Sequence, residues 1–407
     1  MKRTLAILLA ALMLLTLLAA CGNSTQPVPT QPAATAAPTP AKTEAPQPAQ
    51  TEAPVPTEAP APTEGPAFQI RGEDEPFTIT DMGGREVSFD HAITKAYAAN
   101  PMGIVLIETM NFDLLGGYSG KLSDQQKKFI PEKYWDLPNL GAWSTATPTA
   151  NIEELVNAGI DVILVTQLMT EKVKQMAENI QSQTGIPTVL INTSYDGLAD
   201  SYILLGELFN DPERGKMLSD YLRAEVAEIR ENAAKVPESE KVTFLYSEGA
   251  DGLETDPEGS FHTETFSLIG MLNVADVAEN TTNGFVGQSQ ISLEQIINWN
   301  PQYIIRNFSG TGTSDNVKAS DILADPDWAG IQAVQDGHVY QTPALPYNWI
   351  DRPPSVIKVL GAKWLGNLVY PAYFDYDIVA EAKEFFRLFY GWELTDEQLN
   401  NILAASR

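Results

Sequence analysis

Asn151-Ile-Glu-Glu-Leu-Val-Asn-Ala-Gly-Ile-Asp-Val-Ile-Leu-Val165 reads as a short helix, a turn and a buried strand. The order returns in Ile291-Ser-Leu-Glu-Gln-Ile-Ile-Asn-Trp-Asn-Pro-Gln-Tyr-Ile-Ile305. Any two units of this kind look alike at such length, so the flanking sequence has to decide what they belong to.

On both sides, apolar β-branched runs alternate with amphipathic stretches, the signature of βαβ units and largely parallel sheets. The spacing predicts a hairpin over 77–89 turning at Gly83-Gly84, strands over 93–98, 162–166 and 189–192, and helices over 104–115, 152–158 and 170–184. These make one α/β lobe, assigned to 67–200. From Leu198 to Ala234 the pattern is helical throughout, with Leu204, Leu208, Met217, Leu218, Leu222 and Val226 at helical spacing. Asp211-Pro212 marks a junction where two helices abut, and 201–235 is assigned to this connecting segment. A second α/β lobe over 236–407 follows, with strands predicted over 242–246, 303–306 and 338–341. Its helices are predicted over 264–270, 293–299 and 354–368, with more at the C-terminus. The stretch after Ala67 is long enough for two ordinary domains with their own cores.

Five short motifs run in order through nearly all of this part. They are Thr80-Asp-Met-Gly-Gly-Arg-Glu-Val87, Gly141-Ala-Trp143, Asn151-Ile-Glu153 with Ile160-Asp-Val-Ile163, Ser292-Leu-Glu294 with Asn300-Pro301, and Ala333-Val-Gln-Asp-Gly-His-Val-Tyr340. Each is weak alone; their shared order and spacing carry the signal. With them the chain resembles the substrate-binding lipoproteins of ABC importers for iron-siderophores, haem and cobalamin, the helical-backbone periplasmic binding proteins. The resemblance implies two Rossmann-like α/β lobes joined by a single long helix, with ligand held in the cleft between them, and a monomer is expected. It also implies that one Glu from each lobe docks on arginines of the permease, at positions matched here by Glu153 and Glu294. On the residues alone, each lies in the first turn of its predicted helix, where a capping carboxylate is favoured by the helix dipole.

A cleft at the carboxyl ends of strands in facing α/β lobes is where ligands are expected on physical grounds as well. The loops after the strands supply Trp143, Ser144, Thr145, Thr166 and Tyr195 from the first lobe. The second lobe supplies Ser247, His262, Asn307, Tyr347, Trp349 and Arg352. Flat aromatic faces suit a macrocycle or catecholate, and Arg352 suits a carboxylate or an anionic chelate. Plainer roles compete with these. Trp143 stands where some cobalamin binders of that family place a ligand-facing Trp, yet it also suits packing of its own loop, and the same holds for Tyr347 and Trp349. Arg352, beside Asp351 and ahead of Pro353-Pro354, also suits a local salt bridge or a helix cap. His262 is a candidate metal ligand through neutral imidazole. His91 by the hairpin and His338 in a strand offer it no company, so no metal site is assigned. Trp299, Trp328 and Trp364 read as core.

The only cysteine, Cys21, follows Lys2-Arg3, an apolar run over 5–18 and Ala19-Ala20, the order of a secretory signal peptide. Leu18-Ala19-Ala20-Cys21-Gly22 resembles the lipobox of bacterial lipoproteins, which implies cleavage after 1–20 and a diacylglyceryl group on Cys21. Two acyl chains hold a protein on a membrane stably. Over 21–66 the chain is Pro, Ala, Thr and Glu with almost no large apolar residue, a composition that cannot offset its ordering entropy. Extended at about 3.1 Å per residue, it would place the lobes up to on the order of 100 Å from the membrane.

A formal charge of -27 argues against nucleic acid or an anionic membrane surface as partner. No Gly-x-Ser-x-Gly elbow, His-Glu-x-x-His, Walker loop or dinucleotide fingerprint occurs, and three histidines leave few general bases. A secreted glycosidase with paired carboxylates is the rival class, because acidic residues are plentiful. The expected protein is not an enzyme and carries no resident cofactor. It is an extracytoplasmic receptor, anchored to the cell membrane through Cys21, that delivers a metal chelate to an ABC permease. An Fe(III)-siderophore is the first choice, then haem or a corrinoid such as cobalamin, then a bare ion or metallophore.

Overall fold

Val162–Thr166 is buried at every residue, as a strand in the middle of a covered parallel sheet must be. In the computed structural model, which describes residues 70–143, 148–282, 285–307 and 316–406, it lies between Ala96–Ala98 and Thr188–Ile191, parallel to both. All described residues belong to the unit Gly65–Arg407. A second parallel sheet has the order Val339–Gln341, Tyr303–Arg306, Thr243–Ser247, Leu272–Asn273. The fold is therefore α/β with one parallel sheet in each lobe, as the alternating pattern predicts.

Period-two alternation sorts the strand residues between separate cores. Ala96, Ala98, Val162, Leu164 and Val189 face one cluster, while Tyr97, Ile163, Val165 and Leu190 face another on the far side of the first sheet. In the second sheet Phe244 and Tyr246 join the first cluster, and Leu245, Ile304 and Val339 form a third. The cluster shared by both sheets includes Leu218, Leu222, Val226 and Ile229 of the 24-residue helix Pro212–Lys235. That helix is the long connector, started by Asp211, whose side chain accepts from the Arg214 N–H, and by proline at its first position. Leu198–Leu208 packs against it so closely that a Cβ on Gly215 would lie 2.5 Å from the Tyr202 carbonyl oxygen.

The hairpin pairs Phe77–Thr80 with Glu86–Phe89, and Gly84 at φ 80 makes its turn. Asp81 ties it to the first sheet, accepting from the Gly83, Arg85 and Leu190 N–H groups and from the Arg85 guanidinium. The helix read over 354–368 begins only at Lys358 and runs to Val369. The C-terminal helices, read with the second lobe, also reach the first. Tyr390, the last residue of Ile378–Tyr390, lies 6.4 Å from Phe112, and Trp392 just beyond it lies 6.3 Å from Phe129. No helix of the described residues is long and apolar enough to cross a membrane.

Candidate ligand cleft

Helix Pro101–Asn111 opens the first-lobe side of a cleft. Asn100 caps it by accepting from the Gly103 N–H, and Asn100 also donates to the Thr166 carbonyl at 2.9 Å. Thr166 donates its hydroxyl to the Asn100 side chain. Thr166 is thus fully buried and fixes the start of the helix instead of facing a ligand.

Pro101 and Ile104 from that helix, the stretch 118–122 and Gln126 form one side of a cavity of about 280 Å3. Tyr347, Arg352 and Pro353 form the other side. Behind this wall Glu108, one turn on from Ile104, is fully enclosed, and both its oxygens accept from the Tyr347 hydroxyl at 2.8 Å. Burial pushes the Glu108 carboxyl up to about 8, against the lowering by Tyr347. The Tyr118 hydroxyl is also buried and has no hydrogen-bond partner among the described residues. Burial, helped by the Glu108 charge, raises its pKa.

Arg352 is held at φ 56, in the left-handed region that non-glycine residues rarely occupy. Its Nε meets Glu248 at 2.5 Å, its Nη2 meets Asp256 at 2.5 Å, and Asp351 lies 3.5 Å from Nε. All three carboxylates are buried. His262 Nδ1 lies 2.8 Å from Asp351, and its Nε2 is 3.4 Å from Arg352 Nη1. Asn307 donates to Glu248 at 3.0 Å. Burial raises Glu248 well above the usual carboxylate range, with Arg352 lowering it and Asp256 raising it again. Burial would raise Asp351 too, but His262 and Arg352 together hold it below its ordinary value. Arg352 therefore sits at the cleft wall already engaged by three carboxylates, which is the salt-bridge alternative realised more fully than Asp351 alone allows. Of its nitrogens, Nη1 makes only the long contact to His262 among the described residues.

The structure brings His262, Asn307, Tyr347 and Arg352 together around this wall. It does not bring the other described candidates there. Trp349 is 0% exposed, its indole N–H donating to the Leu345 carbonyl at 3.1 Å, so it is a core residue and not an aromatic face for a ligand. Ser247 is buried and donates to the Gly252 carbonyl at 2.8 Å. Tyr195 is buried against Lys358 and Thr265, its hydroxyl 2.8 Å from the Lys358 carbonyl oxygen. Side chains this enclosed offer a ligand no surface, which strand-end position alone does not reveal. Trp143 is half-buried against the far core of the first sheet, with its N–H on the Ala99 carbonyl. Ser144, Thr145 and Cys21 lie outside the described residues. Among the described residues no group of three or more His, Cys, Asp or Glu is placed to hold a metal ion. Glu153 and Glu294 are exposed at the second positions of Ile152–Asn157 and Leu293–Trp299.

Sequence reasoning missed Tyr118, Lys121, Gln126 and Glu108. The first three follow a helix and not a strand, so a search of strand ends passes over them. The usable signal was Gly116-Gly-Tyr-Ser-Gly120, a glycine-rich loop carrying an aromatic and a hydroxyl. A Cβ on Gly117 would lie 2.7 Å from the Pro138 carbonyl oxygen, so the loop needs glycine there to pack. A lone Glu in the apolar stretch Ile104-Val-Leu-Ile-Glu-Thr-Met110 is the matching signal for Glu108.

A family model described as periplasmic binding protein matches residues 132–345. The chain is similar to the molybdate-binding protein MolA of Haemophilus influenzae, with 25% identity over 342 residues, 77% of this chain and 90% of that protein. It is similar to an iron-uptake system-binding protein of Bacillus subtilis, with 25% identity over 214 residues, 52% of this chain and 64% of that protein. Among solved structures, an ABC transporter solute binding protein from Sulfurospirillum deleyianum superposes with a TM-score of 0.72 at 28% identity, covering 80% of this chain and 99% of that one.

Proposed function

The chain belongs to the periplasmic binding protein family, and on that premise we propose that it captures an oxygen-rich, anionic metal species, a compact Fe(III) chelate first, for an ABC importer. Proteins of this family bind a small ligand outside the cytoplasmic membrane and work with an ABC permease; they are transport components and not catalysts. The observation that carries the ligand reading is the polar set on the cleft wall. The Tyr118 hydroxyl, which has no partner among the described residues, shares that wall with Tyr347, Lys121 and Arg352. An acceptor that reaches the Tyr118 hydroxyl would stabilise it, and Lys121 favours that acceptor being anionic oxygen, Arg352 being already matched by Glu248, Asp256 and Asp351.

A bare metal oxyanion is the second reading. It is supported by the modest cleft volume of about 280 Å3, small for a macrocycle, and by the similarity to MolA along 90% of that protein. Haem and corrinoids rank lower, since the aromatic residues among the described lining are two tyrosines, both with polar tips at the lobe junction. We further propose that Cys21 carries the lipid anchor, and that Glu153 and Glu294 meet the permease.

Calorimetric titration with ferric citrate, a ferric catecholate, molybdate, haemin and cyanocobalamin tests the ligand reading. Saturable binding of a ferric complex supports it, and binding of molybdate alone selects the oxyanion. Binding of haemin or cobalamin alone, or of none of the five, overturns both. For the anchor, Cys21→Ala should release the protein from membranes, and retention of that variant would remove the assignment.

A further inference from the structure

The helices Ile152–Asn157 and Leu293–Trp299 agree beyond their carboxylates. Ile-Glu-Glu-Leu-Val-Asn in the first lobe matches Leu-Glu-Gln-Ile-Ile-Asn in the second, position by position in kind. The fourth residues, Leu155 and Ile296, are fully buried, so there the fold itself demands an aliphatic side chain. The fifth residues are another matter. Val156 is 51% exposed and Ile297 is 43% exposed.

Neither side chain belongs to a core cluster of either lobe. β-Branched residues are poor helix formers, and helices of six and seven residues have little propensity to spare. An aliphatic left in water also forgoes the gain of burial. The same unfavourable choice is nevertheless made at the same place in both lobes. Residues three apart on a helix are surface neighbours, so Val156 adjoins Glu153 and Ile297 adjoins Glu294. Both carboxylates are exposed and make no ion pair among the described residues.

We propose that Glu153 with Val156, and Glu294 with Ile297, are two copies of one composite docking surface, whose partner is a membrane protein presenting two equivalent patches, each a cation beside an apolar side chain. This rests on the permease reading above and adds the aliphatic half of the contact. An exposed ion pair alone contributes little, because water and salt screen it. An aliphatic side chain seated beside it excludes water, which strengthens the pair and supplies an attraction of its own. The carboxylates then set orientation and the aliphatics hold the complex.

The test compares the full-length protein with Val156→Thr/Ile297→Thr, which keeps β-branching, and with Glu153→Arg/Glu294→Arg. Melting of each is measured, and so is association with the cognate permease in lipid nanodiscs at low and high salt. The Thr pair should melt as the parent does and bind the permease on the order of tenfold more weakly or worse, with the deficit persisting at high salt. The Arg pair should show its deficit chiefly at low salt. Normal association of the Thr pair beside a failing Arg pair would overturn this inference and leave the permease reading standing. Normal association of both would remove the permease-contact reading itself. A lowered melting point in the Thr pair with unchanged association would assign Val156 and Ile297 to the fold alone.

Discussion

The Tyr347 hydroxyl lies 2.8 Å from both carboxyl oxygens of Glu108, so a loop of the second lobe is bonded to the buried face of the first-lobe helix Pro101–Asn111. The contact stands directly behind the wall of the candidate cleft and joins the lobes there. Because burial raises Glu108 to about 8, this carboxyl keeps its proton at neutral pH.

A pH dependence of stability follows. Below the ordinary value of 4.5 the group is protonated whether the chain is folded or not, and its contribution is fully present. Between there and about 8 the unfolded chain has released the proton while the folded chain retains it. The folded state is therefore lost to the unfolded one by about 1.4 kcal/mol per pH unit across that window, then no further. Glu108→Gln, which still accepts from Tyr347, should flatten the melting temperature between pH ~5 and ~8. An undiminished slope in that variant would refute the assignment.

Tyr118→Phe removes a buried hydroxyl that has no partner among the described residues. Stability should hold or rise by up to about 1 kcal/mol, while ligand affinity should fall by about 0.5–1.5 kcal/mol. Urea unfolding and calorimetry read the two quantities separately. A stability loss at unchanged affinity would mean that the hydroxyl serves the fold.

Trp349 is enclosed, and a Cβ at Gly361 would come within 1.8 Å of the Trp349 carbonyl oxygen. Trp349→Ala should cost about 3–5 kcal/mol of stability, and Gly361→Ala should also destabilise, since backbone and not a movable side chain stands in the way. Ligand affinity of the folded fraction should be unchanged in Trp349→Ala, as measured well below its melting temperature. Loss of affinity at parental stability would return Trp349 to the ligand site.

Arg352→Met leaves Glu248, Asp256 and Asp351 buried without their shared cation. Breaking such a network by removing one partner costs about 3–5 kcal/mol. The deficit should shrink as pH falls, because protonation relieves carboxylates that have lost a counter-charge. Chemical denaturation at neutral and mildly acidic pH checks this, and a deficit independent of pH would mean that packing, not charge, is what Arg352 supplies.

Most of the fold was legible because its signals are local. Unbroken apolar runs marked Val162–Thr166 and Tyr303–Arg306, Asp211-Pro212 marked the helix junction, and Gly83-Gly84 marked the hairpin turn. The site was legible in part. Tyr347 and Arg352 were reached because they follow a strand, but the same rule swept in Thr166, Ser247 and Trp349, which burial removes from any ligand. It passed over Tyr118 and Gln126, which arrive at the cleft from a loop that follows a helix.

The order of amino acids by itself determined the alternation of strand and helix, the two lobes with a helical connector, and the twin segments bearing Glu153 and Glu294. These depend on periodicity, capping and turn chemistry between residues close in the chain. Only the tertiary structure decided that Arg352 is shared among Glu248, Asp256 and Asp351, that Glu108 bonds to Tyr347, and that Trp349 is core. Those outcomes join residues far apart in sequence, and burial and charge pairing arise from the packed environment, which no local pattern encodes.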